Sequence, residues 1–194
     1  MLRSARLQTL ALVLVVFPAV APAGEPPAEP ARRAQTDIFE AVEQGDFQRV
    51  KALLEQGVKI DGVDRFGYSP LHTASFSHQD VILRYLIEKG ADLNLPDRHS
   101  RATILHYVAQ FNQLAAAEAA LAKGARLSVE DSYGNQPLFT AVLNDKGRNE
   151  RIDMVKLFMA HGADPDHKNR SGRSPRDLVK NAKYDNLRAA LRMK

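Results

Sequence analysis

Side chains able to do chemistry are few in this chain of 194 residues, and they are scattered. Of its six histidines, His161 and His167 flank a connector holding Asp164 and Asp166, a mixture of imidazoles and carboxylates whose chemistry would be metal ligation. Carboxylates pair at Asp61/Asp64 and Glu130/Asp131, the residue type for general acid–base work, but nothing in the sequence marks a cleft between them. There is no GxSxG elbow, HExxH helix, phosphate-binding loop or Gly-rich dinucleotide turn. The absence of Cys excludes a disulfide scaffold, Cys-based zinc sites, a CxxC redox motif, a Cys nucleophile and a lipidated Cys anchor. The sequence therefore predicts a protein that is not an enzyme, with no catalytic residues, no cofactor and no metal.

The elements that must position these side chains fall into two compositional regimes. Five of the ten prolines (Pro18, Pro22, Pro26, Pro27 and Pro30) lie in the first thirty residues. Arg3 and Arg6 precede an apolar run, Leu10 to Phe17, and Ala21-Pro22-Ala23 forms a small-x-small site. That three-part pattern predicts a secretory signal peptide over 1–23, cleaved after Ala23, and hence a periplasmic protein. The rival reading, a membrane anchor, needs ~20 apolar residues, and this run ends at Pro18. Residues 24–35 (GEPPAEPARRAQ) are Pro-rich and poor in bulky apolar groups, which predicts an extended, disordered linker. What remains suits one domain, long enough to bury a core without disulfides.

The second regime is periodic. Gly57, Gly90, Gly124 and Gly162 are spaced by 33, 34 and 38 residues. Ser69, Thr103, Gln136 and Ser174 are spaced by 34, 33 and 38, and Asp64, Asp97, Asp131 and Asn169 by 33, 34 and 38. Three series thus share one register, the mark of a repeat architecture. Within a unit, Pro70, Pro137 and Pro175 suit the first turn of a helix, and Ser69, Thr103 and Ser174 suit its N-cap. Val81, Ile82, Tyr85 and Leu86 give a second helix its apolar face, and the glycine after it suits a left-handed C-terminal cap.

With Asp64-Arg65-Phe66-Gly67-Tyr68-Ser69-Pro70-Leu71-His72 running on to Gly90-Ala91-Asp92, the chain resembles the ankyrin repeat over 36–194. The resemblance implies an all-α repeat solenoid of about five helix-turn-helix units joined by β-hairpin-like turns. The units are an N-terminal cap (36–63), repeats 64–96, 97–130 and 131–168, and a C-terminal cap (169–194). It also implies that His72 and His106 bond the local hydroxyl and backbone at helix starts, and that Gly-Ala-Asp before His167 is a helix-ending turn and not a metal site. Repeat three carries one extra residue in its turn (Arg98 to Ala102). Repeat four carries about five between its helices, at Asn144 to Arg151. That insertion is expected to protrude, either as part of a binding face or as a tolerated surface loop.

In such stacks the turn tips and the exposed side of the first helices bind partners. Register places Arg65, Phe66 and Tyr68 on one tip, Arg98, His99 and Arg101 on the next, and Tyr133 and Asn135 on the third. Phe76, Phe111, Leu143 and Asn144 fall on the outward ends of first helices, with Lys146 and Arg148 in the insertion. Aromatic and Arg side chains on a rigid scaffold are what interface hot spots use, unless the rings tuck against the next repeat. The expectation is a monomeric protein-binding module acting on another protein, without nucleic acid or membrane insertion. Its most concrete form is a stoichiometric inhibitor or immunity protein of a periplasmic effector. The alternatives are a helper of a periplasmic enzyme such as a catalase, or an envelope scaffold using a basic C-terminal cap. The net charge of +4, too small to suggest nucleic acid, hides an asymmetry: residues 24–167 hold 16 basic and 21 acidic residues, and 168–194 hold 9 and 2.

Overall fold

A computed structural model describes residues 29–180 and 184–191. The expected signal peptide and the first residues of the Pro-rich segment lie outside these. Ten helices occur among the described residues, and no strand does. They are α1 (Glu29–Glu43), α2 (Phe47–Glu55), α3 (Pro70–Phe76), α4 (Asp80–Glu88), α5 (Ile104–Phe111), α6 (Leu114–Ala122), α7 (Pro137–Asp145), α8 (Ile152–Ala160), α9 (Pro175–Leu178) and α10 (Asp185–Ala190). The odd-numbered helices pack on one another in chain order as one layer, and the even-numbered helices as a second. One continuous apolar core lies between the layers, including Leu71, Leu86, Leu105, Leu138 and Phe158. Each unit is too small to bury its apolar face alone, so the stack is the folding unit.

Local chemistry starts and stops these helices where the spacing predicts. Ser69 and Thr103 are N-caps whose backbone N–H donates to Nδ1 of His72 and His106, each at 3.1 Å. In the last unit Asp177 replaces the imidazole, accepting from the Ser174 N–H at 2.9 Å. At the far end of each unit a glycine takes positive φ; at Gly90 (φ +86°) nothing lies within 4 Å of where a Cβ would stand, so backbone conformation alone selects the residue.

Two segments differ from expectation. Residues 29–35, expected as extended linker, form the opening turns of α1. Pro30 stands in the first turn, where its missing N–H is harmless. Ala34 packs on the core, and the Gln35 amide bridges the Lys59 backbone with two hydrogen bonds of 3.2 Å. Composition suggested a tether because these tertiary contacts are invisible in it.

The insertion in repeat four is exposed along its outer edge but tied at its root, so it is not a free protrusion. Asp145, fully buried at the end of α7, accepts the backbone N–H groups of Gly147 (3.1 Å), Asn149 (3.1 Å) and Arg151 (2.9 Å). Lys146, Gly147 and Asn149 take positive φ to wrap around it. The insertion is also stapled to the previous repeat. Arg151 donates to the carbonyls of Ala109 (3.3 Å) and Gln110 (2.8 Å), and Asn112 donates to that of Glu150 (3.0 Å).

Candidate binding surface

Each of the four turns ahead of α3, α5, α7 and α9 is a tip held together by an inward-facing oxygen. Asp64 Oδ1 accepts from the backbone of Phe66 (2.9 Å) and Tyr68 (2.8 Å), and Asp131 Oδ1 from Tyr133 (2.8 Å) and Asn135 (2.9 Å). Asn169 does the same for Ser171 and Arg173. Asp97 is buried and receives the amides of His99 (2.7 Å), Ser100 (2.6 Å) and Ala102 (2.9 Å), the Ser100 hydroxyl and the Tyr107 hydroxyl (3.0 Å). Burial opposes ionisation of Asp97, but the hydrogen bonds from Ser100, Tyr107 and His99 outweigh it and hold the carboxyl below the usual carboxylate range. Of the paired carboxylates, Asp64 and Asp131 therefore organise turns, while Asp61 accepts the Asp92 amide at 2.8 Å and Glu130 meets His167.

The expected contact residues divide in two. Phe66, Tyr133 and Leu143 are exposed by 56%, 69% and 51%, which leaves large apolar groups in water on a rigid frame. Arg65 lies over the Phe66 ring, 4.6 Å from its centroid. Arg98, His99, Arg101, Lys146 and Arg148 are exposed as well. Tyr68, Phe76 and Phe111, by contrast, are half-buried in a cluster of rings. Tyr68 and Phe76 meet edge-on at 5.2 Å, Phe76 and Tyr107 at 5.9 Å, and Tyr107 stacks near-parallel on Phe111 at 6.5 Å. Asn135 and Asn144 have their amides engaged inside the fold, with Asp131 and Asn169 and with the Thr140 carbonyl.

Tyr107 is the residue that sequence reasoning missed. It links Tyr68, Phe76 and Phe111 through its ring and fixes Asp97 through its hydroxyl, and burial pushes its phenol well above the ordinary range. Its place directly after His106 in a first helix is the available signal, since the outward side of that helix faces the tip behind it. Beside Tyr133, Leu143 and the buried Phe139, the third and fourth tips enclose a groove of about 540 Å³ rimmed by Arg170 and Arg173.

His72, His106 and His167 make structural contacts. His106 Nε2 meets the Asn135 carbonyl at 3.0 Å, binding one repeat to the next. His72 Nε2 is buried and makes no hydrogen bond of full geometry, although the Leu95 carbonyl acts on the ring. Burial, only partly offset by the Asp97 carboxylate, lowers the His72 pKa to about 4. His167 contacts Glu130 and the Gly134 carbonyl, each at 3.2 Å, and Asp166 pairs with Arg176 at 2.8 Å. Among the described residues no three metal-capable side chains converge, and no helix is long and apolar enough to cross a membrane.

Comparison with known proteins agrees with this architecture. The family profile described as ankyrin repeats (3 copies) matches residues 23–97 and 96–169. The ankyrin repeat protein YahD of Escherichia coli K12 is 26% identical over 185 residues, covering 78% of this chain and 92% of YahD. The palmitoyltransferases AKR1 of Lachancea kluyveri and Hip14 of Drosophila melanogaster are 34% and 31% identical, over 55% and 58% of this chain. The chain spans less than a fifth of their length (16% and 18%). Ankyrin repeats are typically non-catalytic modules that bind other proteins. With a matched profile over most of the chain and a two-layer stack of paired helices, this protein belongs to the ankyrin-repeat family.

Proposed function

We propose that this protein is an exported, periplasmic inhibitor that binds one partner protein stoichiometrically and blocks it sterically, as an immunity protein blocks an effector. The observation that carries the binding reading is the set of exposed apolar groups at Phe66, Tyr133 and Leu143, the first two held on turns whose polar groups are already satisfied and the third on α7. Rings that are exposed yet pre-positioned lose little entropy on docking, which is what interface anchors require. Export rests on the N-terminal pattern of Arg3, the apolar run and Ala21-Pro22-Ala23.

The test is purification of the full-length protein from a periplasmic fraction, with N-terminal sequencing and identification of any equimolar partner. A mature chain beginning at Gly24 and a partner whose activity falls to zero at one equivalent support the reading. A chain retaining Met1 defeats export, and a partner whose activity rises makes the protein a helper. Changing Phe66, Tyr133 and Leu143 together to Ala should weaken partner binding by a hundredfold or more, since anchors contribute about 2 kcal/mol or more each, with the thermal melt nearly unchanged. Tyr68→Ala should instead lower the melt, because that ring packs against Phe76.

A further inference from the structure

The charges on the same face have a sign. Residues 64–77, 97–112 and 131–145, which make the tips and first helices of the three central repeats, contain four acidic residues: Asp64, Asp97, Asp131 and Asp145. All four carboxylates are turned inward onto backbone N–H groups, Asp64, Asp97 and Asp131 onto those of their own turns and Asp145 onto those of the insertion that follows it. The cations point out. Arg65, Arg98, Arg101, Arg170 and Arg173 are exposed, and none forms an ion pair among the described residues, whereas Arg49, Arg151, Arg176 and Arg188 all do.

Two of these arginines are also held in place by register. Arg98 and Arg170 are the residues after Asp97 and Asn169, and each lays its aliphatic stem across the glycine of the preceding tip. A Cβ on Gly67 would strike the Arg98 stem, and one on Gly134 would come within 2.9 Å of both the Arg170 Cγ and its backbone N. The missing side chain at each tip glycine thus makes room for the next repeat's arginine. With carboxylates internalised and guanidinium groups unpaired, the potential over this face is positive although the body of the chain carries more acid than base.

We propose that this face captures an extended acidic protein segment, carboxylates against the arginine row and an apolar side chain in the groove beside Tyr133 and Leu143. The proposal rests on the reading of this face as a protein-binding surface. Protein is favoured over a phosphate backbone because the cation row is interrupted: repeat four has Ser132 where its neighbours have arginine, and an exposed ring and Leu143 stand there instead. A phosphate backbone presents evenly spaced charge, whereas a protein segment alternates carboxylates and apolar groups. With helices stacked about 8–10 Å apart, the span from Arg65 to Arg173 accepts roughly nine residues of extended chain.

The experiment is a selection of random peptides of about 12 residues on the purified full-length protein. A single acidic peptide from the winners is then measured at low and at roughly 0.5 M salt. Selected peptides should be enriched in Asp and Glu, and the chosen peptide should bind about tenfold more weakly at high salt. The variant Arg98→Glu/Arg101→Glu/Arg170→Glu/Arg173→Glu should select Lys- and Arg-rich peptides; the Arg→Gln version serves if that variant does not fold, and should lose the acidic bias. Winners without acidic enrichment, or a bias that survives the substitutions, overturn the proposal. Uncharged winners that depend on Tyr133 and Leu143 overturn it while leaving the binding module intact; winners that ignore both sets of residues count against the binding reading itself. A single-stranded DNA 20-mer or phosphatidylglycerol vesicles binding through the same arginines, with no peptide selected, would replace the protein segment with a phosphate ligand.

Discussion

His72 shows how the burial of one residue couples stability to pH. In the unfolded chain its imidazole titrates near 6.5, and in the fold near 4, so between these values the unfolded state binds the extra proton. Its contribution is therefore complete above about pH 6.5 and is lost as pH falls toward 4, roughly 3 kcal/mol in all. His106 is lowered for the same reason, burial, and adds in the same direction, while Asp97, held below its ordinary value, loses its contribution only at pH below that of a free carboxyl. Urea denaturation at pH 7 and pH 4.5 should show a marked drop for the natural protein. In His72→Asn the drop should be visibly shallower, and an unchanged pH dependence would mean the imidazole is not buried neutral. The sequence identified the His–hydroxyl pairing at these helix starts, but not that one ring would bond across to Asn135 while its counterpart would not.

At the scale of elements, the second helices α4, α6 and α8 are each fastened by the residue just before them. Gln79 reaches the Glu43 carbonyl, Gln113 the Ser75 carbonyl and the Asp80 carboxylate, and Arg151 the Ala109 and Gln110 carbonyls. These satisfy groups left open at the C-terminal ends of first helices in the preceding unit. The spacings of 34 and 38 are those of the repeat, so a signal existed in the sequence. It went unread because Gln and Arg share length and donors rather than identity. The insertion in repeat four survives as an ordered segment because Arg151 keeps this contact and Asp145 collects the loop's amides. Replacing Asp145 by Ala leaves three part-buried N–H groups without their acceptor. The expected cost is about 3 kcal/mol, with faster amide exchange at Gly147, Asn149 and Arg151. Unchanged protection at those amides would contradict the role assigned to the carboxylate.

For the whole molecule, stability is a chain of neighbour contacts, and the ends matter most. The last unit buries Val179, Leu187, Ala190 and Leu191, and α10 covers α8, whose Met154, Val155 and Phe158 are fully enclosed. Ending the chain after residue 168 should expose that face and destabilise the stack by on the order of 5 kcal/mol, seen as a lower urea midpoint and loss of soluble protein. An unchanged midpoint would show that repeat four closes the stack by itself. The basic excess of this unit is partly answered locally by Asp166, Asp177 and Asp185, which pair with Arg176, Lys180 and Arg188. On its tip Arg170 and Arg173 form no ion pair among the described residues, and they continue the row begun by Arg65, Arg98 and Arg101.

What the sequence determined by itself was the repeat, its register and most helix limits. Those depend on interactions within a few residues: a hydroxyl capping the next turn, a proline at a helix start, a glycine at positive φ. Such rules repeat as often as the motif does, so three series could be read against one another. Only the tertiary structure decided which rings stand in water and which pack. Phe66 and Tyr68 are two residues apart on one tip, yet Tyr68 meets Phe76 and Tyr107 while Phe66 meets Arg65 and solvent. The same holds for the start of α1 at Glu29, the buried carboxylate of Asp145 and the unpaired arginines. Each depends on a partner supplied by another turn, helix or repeat, or on the lack of one, and local spacing carries no information about that.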